Sequence, residues 1–141
     1  MFKNQLWVFL LITIPPFSFA ADAIPGNAVE MNTTRINNLL FRFTRFNAES
    51  SFPCLRLESI DPLNNWEIVE QKDLCEIDGI SLDNDLTYAA IEALEFHQSS
   101  LHFNLTYFDN QSPGEYLKEC SVDFNKGNIQ EPKCLKAALI E

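Results

Sequence analysis

Hydrophobic and polar residues alternate along several stretches of the chain, which is the pattern of half-buried β-strands. The clearest stretch covers residues 100–108, and a second covers residues 116–124. The segment 109–114 between them contains Pro113 and Gly114, which favour a turn. The second half of the chain is therefore predicted to contain an antiparallel strand pair.

The same reasoning predicts an earlier hairpin. Residues 52–60 form an apolar strand, and the segment 61–65 favours a turn because proline fixes φ and asparagine tolerates left-handed backbone. Trp66 and Ile68 then supply the apolar face of a return strand. Both side chains are expected in the core.

Two other stretches carry helical periodicity. Residues 85–97 place apolar side chains three and four positions apart, after several residues suited to capping a helix, and predict one central helix. Residues 35–46 fit a helix or a strand, and their aromatic content favours a strand over 39–46. The stripe of the predicted helix consists of Leu86, Ala89, Ala90, Ala93, Leu94 and His97.

Strands grouped around one helix predict an α+β domain with a mainly antiparallel sheet and two disulfides. Its core is expected to be rich in aromatic residues, because the chain has 12 Phe. The predicted core residues are Phe41, Phe43, Leu55, Leu57, Trp66, Ile68, Leu86, Leu94, Leu101, Phe103, Leu105, Tyr107 and Val122.

The N-terminus has the composition of an export signal. Lys3 precedes an apolar run over 6–14, and small residues around Ala20 suit a signal peptidase. The run is too short for a membrane span, which needs about 20 residues. We expect residues 1–20 to be a cleaved signal peptide, 21–34 a flexible leader and 35–141 a single disulfide-stabilised domain, in a periplasmic or secreted protein without stable membrane insertion.

Four cysteines behind such a signal predict disulfides, and no C-x-x-C motif is present. Three pairings are possible, and the turn-rich stretches between neighbouring cysteines favour Cys54–Cys75 and Cys120–Cys134. The formal net charge is −10 for the chain and −11 once Lys3 is removed with the signal. This acidic balance disfavours nucleic acid and anionic membranes as partners and favours a basic protein.

No familiar catalytic or cofactor motif occurs. The four glycines do not form a phosphate-binding loop. A metal site would have to join His97 and His102 to Glu92 or Glu95, but a helix end and a strand start give no standard ligand spacing. We therefore predict a protein that is not an enzyme, with no catalytic residue, metal or cofactor.

A binding role follows as the leading hypothesis: a periplasmic inhibitor or immunity-type protein that neutralises a toxin or hydrolase. The alternative is a module that binds a small molecule or an envelope component in an apolar pocket. An unfamiliar enzyme and a structural envelope component are weaker hypotheses. The predicted partner contacts lie in three acidic, turn-rich segments: Asp61, Asn64, Asn65, Asp83, Asp85, Asp109 and Asn110.

Overall fold

The computed structural model describes residues 27–83, 88–109 and 111–140. These residues contain no helix, and strands make up 66% of them. The fold is therefore all-β, and the predicted α+β class with a central helix is wrong. The expected signal peptide, residues 1–20, lies outside the described residues.

The first sheet is an antiparallel meander of four strands in chain order. They are β1 (Ala28–Ile36), β2 (Leu39–Phe46), β3 (Leu55–Asp61) and β4 (Glu67–Leu74). Of the two interpretations of residues 35–46, the strand over 39–46 is confirmed. Strand β1 also occupies part of the segment 21–34 for which a flexible leader was expected.

A short hairpin, β5 (Glu76–Ile77) and β6 (Ile80–Ser81), follows the first sheet. Its two central residues, Asp78 and Gly79, both have positive φ, at 52° and 78°. This is the turn geometry whose twist matches that of paired strands.

The second sheet pairs β7 (Ala89–His97), β8 (Ser100–Phe108) and β9 (Glu115–Asn125) as antiparallel neighbours. Three short strands of the C-terminal segment then pair with β9 one after another. The segment 128–140 thus acts as an interrupted fourth strand of this sheet. Its parts are β10 (Asn128–Ile129), β11 (Lys133–Cys134) and β12 (Ala138–Ile140).

Strand β7 replaces most of the predicted helix over 85–97. The register places Glu92 opposite Asn104 and Glu95 opposite His102, so two residues of β7 face one residue of β8. Ala93, at φ 52°, lies inside this β-bulge. The extra residue shifts the strand alternation by one, and the resulting apolar spacing resembles that of a helix.

The two sheets curl around a shared core in the manner of a half-barrel. The rings of Phe41 and Phe124 stack between the sheets with centroids 4.4 Å apart, and Phe96 packs against Phe124 at 6.1 Å. Eight of the predicted core residues are buried: Phe41, Phe43, Leu55, Leu57, Leu101, Phe103, Leu105 and Val122.

Other core predictions differ from the structure. Trp66 and Ile68 are exposed, which contradicts their assignment to the core. Leu94 and Tyr107 are only partly buried and pack against the core from its margin. Leu86 lies outside the described residues.

Both predicted disulfides are present, with the predicted pairing. Cys54–Cys75 joins the chain at the open end of the β3–β4 hairpin, and Cys120–Cys134 joins register partners on β9 and β11. The two bridges are consistent with an oxidising, extracytoplasmic location. Within the described ranges, there is no helix of the length and hydropathy needed to cross a membrane.

Two polar contacts link β4 of the first sheet to the C-terminal segment of the second sheet. Glu70 on β4 accepts a hydrogen bond from the backbone N–H of Ile129 at 2.7 Å. Lys72, two residues further along β4, pairs with the carboxylate of Glu131. The C-terminal segment is therefore attached both to β9 and to the edge of the first sheet.

Candidate functional site

The turns that join the strands lie at two opposite ends of the molecule. The strand registers place the β1–β2 turn beside the β3–β4 loop, and the β7–β8 turn beside the β9–β10 turn. Residues from three of these turns line one cleft, so the two groups share one end, which we call the turn end.

The predicted partner contacts are divided between the two ends. Asp61, Asn64 and Asn65 are in the β3–β4 loop at the turn end, whereas Asp83 and Asp109 are near the opposite end. Asp85 and Asn110 lie outside the described residues. The predicted contacts that lie within the described residues therefore do not form one continuous surface.

At the turn end, the loop from Asp61 to Glu67, here called the β3–β4 tip, is held by its own hydrogen bonds. The Asp61 carboxylate accepts a bond from the backbone N–H of Leu63 at 2.9 Å. The Asn64 carbonyl accepts the Glu67 N–H at 3.1 Å, and the Asn64 side-chain amide donates to the Glu67 carboxylate. Asp61 and Asn64 thus organise the loop in the free protein.

This organised loop presents two large apolar side chains to solvent. Leu63 is 80% exposed and Trp66 is 65% exposed. Asn65 and Trp66 both have left-handed backbone, with φ of 54° and 61°. Asparagine tolerates this region, but a bulky residue there is a true outlier, and such strain concentrates at functional sites.

Next to the tip, Ile68 on β4 is also exposed, at 44%. Its register neighbours across the first sheet are Ile60 on β3, which is buried, and Leu40 on β2, which is partly buried. Asp61 and Glu67, the first and last residues of the tip, carry negative charge. The site is therefore an exposed apolar projection with a carboxylate rim.

The predicted turn over 61–65 is present, whereas Trp66, which was predicted in the core, is exposed. Strand alternation extended back from Ile68 puts Trp66 on the apolar face. The tandem Asn64-Asn65 was the one available signal, because asparagine favours the left-handed region and extends the turn. Leu63, inside that turn, could have been taken as exposed on the same ground.

At the opposite end, the predicted contact residues form hydrogen bonds with neighbouring residues of their own loops. The Asp109 carboxylate accepts a hydrogen bond from the backbone N–H of Gln111 at 2.8 Å. The N–H of Asp83 donates to the Ser81 hydroxyl at 3.3 Å. These contacts are typical of turns. Phe108, next to Asp109, is 45% exposed, and Tyr88, whose carbonyl accepts the Phe108 N–H at 2.9 Å, is 61% exposed.

The two histidines lie close together at the β7–β8 turn. The β7–β8 hairpin puts the rings of His97 and His102 4.9 Å apart, and His97 Nε2 lies 3.3 Å from the Glu95 carboxylate. His102 Nε2 is 2.9 Å from the Ser100 hydroxyl. Over the described ranges, no three or more His, Cys, Asp or Glu side chains converge as a metal-binding group.

A cleft of about 350 Å³ opens between the two sheets at the turn end. We call it the end cleft. Its walls are apolar and its rim is polar. The lining residues are Ile36, Asn37, Asn38, Leu39, Phe41, Ser99, Phe124, Asn125, Lys126 and Gly127.

No known family matches. The chain fits no protein-family model, and neither curated proteins nor solved structures give a match. The turn end thus combines an exposed apolar loop, the β3–β4 tip, with a cleft between the two sheets, the end cleft.

Proposed function

We propose that this chain is an exported binding protein without enzymatic activity, of the inhibitor or immunity type. It binds and neutralises a toxin or hydrolase whose binding surface is basic. The observation that carries this proposal is the β3–β4 tip, where Leu63 and Trp66 are exposed on a loop with strained backbone.

The side chains of the tip suit a protein interface. Tryptophan is enriched among the few residues that supply most of the binding energy at such interfaces, where it fills a desolvated pocket. Each large apolar side chain contributes roughly 1.5–3 kcal/mol when it passes from full exposure to full burial. Leu63 and Trp66 together therefore offer a partner a compact anchor that is mostly unburied in the free protein.

The hydrogen bonds within the tip reduce the entropic cost of binding. Because Asp61 and Asn64 already fix the loop, little backbone freedom remains to be lost when a partner binds. The tip is thus prepared to enter a cleft as a unit. Occlusion of an active-site cleft by a rigid projection is one way in which a protein inhibits a hydrolase.

Charge defines the complementary surface. The chain carries a net charge of −10, and Asp61 and Glu67 place two carboxylates beside the apolar anchor. A partner with a basic rim around an apolar pocket would be attracted over a distance and then oriented by these groups. Such steering weakens as salt concentration rises.

The proposal is tested with the exported, oxidised protein immobilised in low salt and exposed to an envelope extract from the source cells. The wild-type protein should retain a partner, and the Leu63→Ser/Trp66→Ser variant should lose it. Leu135→Ser/Leu139→Ser is the matched control, because it removes two exposed apolar side chains from the C-terminal segment.

The retained protein is then purified and its hydrolytic or toxic activity is measured with each variant added. Wild type and control should abolish the activity at equimolar amounts, and the tip variant should not. Retention that is equal for the tip and control variants, or a partner whose activity is unaffected, would refute the proposal. Circular dichroism confirms that each variant is folded.

A further inference from the structure

The end cleft has a volume within the range of small ligand sites. It lies between the β1–β2, β7–β8 and β9–β10 turns, where the half-barrel opens. Small-molecule sites usually have volumes of roughly 300–1,000 Å³. At about 350 Å³ the cleft suits a narrow ligand.

The walls of the cleft favour an alkyl chain. Phe41 and Phe124, which stack at 4.4 Å, are both part of the lining. Ile36 and Leu39 are partly buried and pack against the core beside them. An apolar chain lying along these four side chains would exchange water for hydrocarbon contact.

The rim favours an anionic head group. Lys126 is the one charged residue among the described lining residues, and no ion pair or hydrogen bond of its side chain occurs within the described part of the chain. Its backbone is fixed in the two-residue β9–β10 turn, with φ of 51°. In a protein of net charge −10, this ammonium group marks a local positive site.

We propose that the end cleft binds an amphipathic anion with a single short alkyl chain. The anionic head lies beside the Lys126 ammonium group, and the chain lies against Phe41 and Phe124. This site is separate from the β3–β4 tip and does not depend on the inhibitor function.

The test uses the full oxidised protein and sodium decanoate below its micellar concentration. Amide NMR titration should give saturable shifts at Asn38, Ser99 and Lys126. Decyltrimethylammonium, with the same chain and opposite charge, should not produce them. Lys126→Glu should weaken decanoate binding tenfold or more, whereas Lys136→Glu, an equal charge change at an exposed lysine outside the cleft, should leave it within twofold.

A second variant separates binding from folding. Ser99→Trp fills the cleft from its exposed rim and keeps the backbone bond in which the Ser99 carbonyl accepts the Phe124 N–H at 2.8 Å. It should abolish the decanoate shifts in a protein with an unchanged circular dichroism spectrum. Equal effects of Lys126→Glu and Lys136→Glu, or equal binding of the anionic and cationic amphiphiles, would overturn the proposal.

A further experiment with lipid vesicles tests whether the anion is a lipid or a soluble carboxylate. Cosedimentation with phosphatidylcholine vesicles that contain the single-chain anion lysophosphatidylglycerol, lost in Lys126→Glu, supports a lipid source. Binding of free decanoate alone supports a soluble carboxylate. Absence of both kinds of binding refutes the site.

Discussion

Replacement of Gly127 by alanine tests how the β9–β10 turn packs on the first sheet. Gly127 has φ of +91°, and a Cβ there would lie 3.0 Å from Leu39 Cδ1. Gly79 is a matched control, because it occupies the same place in the two-residue β5–β6 turn. Its φ is +78°, but an added Cβ would meet nothing within 4 Å.

The difference between the two sites gives the expected magnitudes. Left-handed backbone destabilises an L-residue by about 1–2 kcal/mol. Because alanine has less conformational entropy than glycine in the unfolded chain, about 0.4–1 kcal/mol of this loss is offset. Gly79→Ala should therefore reduce the free energy of unfolding by about 1 kcal/mol. Gly127→Ala adds the crowding of Leu39, for which overpacking costs of about 1–3 kcal/mol are typical, and should lose about 2–4 kcal/mol.

Urea denaturation with both disulfides intact measures these losses. The crowding part is isolated by repeating Gly127→Ala in a Leu39→Ala background, where its cost should fall by about 1 kcal/mol or more. Equal losses at Gly79 and Gly127, or a Gly127→Ala cost that does not change with Leu39, would show that the turn does not press on β2 as described.

Two further predictions concern a disulfide and a partly buried ion pair. The variant Cys120→Ala/Cys134→Ala removes a disulfide with a sequence separation of 14. It should lower the free energy of unfolding by about 3 kcal/mol. A loss below about 1 kcal/mol in urea denaturation would contradict this. Arg42→Leu removes the guanidinium 2.7 Å from Glu58, whose side chain is 6% exposed, and should cost about 2–3 kcal/mol because the carboxylate stays buried without its partner. Arg42→Leu/Glu58→Leu should recover most of that loss, and purely additive costs in the double-mutant cycle would argue against a coupled pair.

Sequence pattern predicted the regular strands well. The alternation over 100–108 coincides with β8, and the strand over 39–46 coincides with β2. The β2–β3 and β8–β9 pairings contain no bulge, so the period-two pattern of these two strands is readable in the sequence. The disulfide pairing followed from chain order and local turns, which is enough when each bridge closes within one sheet.

The errors have one physical origin, which is local irregularity in the backbone. A bulge at Ala93 changed the periodicity of β7 from that of a strand to an apparent helix. Left-handed backbone at Trp66 separated this residue from the strand face to which alternation assigned it. Neither irregularity leaves a glycine or proline in the sequence as a marker, so sequence pattern placed Asp61, Asn64 and Asn65 in the loop but did not predict that Trp66 is exposed.

The sequential order of the two bridges has a consequence for how the chain acquires them. Each bridge joins cysteines that are consecutive along the chain, first with second and third with fourth. An exported polypeptide that emerges with its N-terminus first would expose Cys54 and Cys75 before either of the others. Oxidation in order of appearance then gives the native pairing directly, out of three possible pairings, and reshuffling by an isomerase is not required.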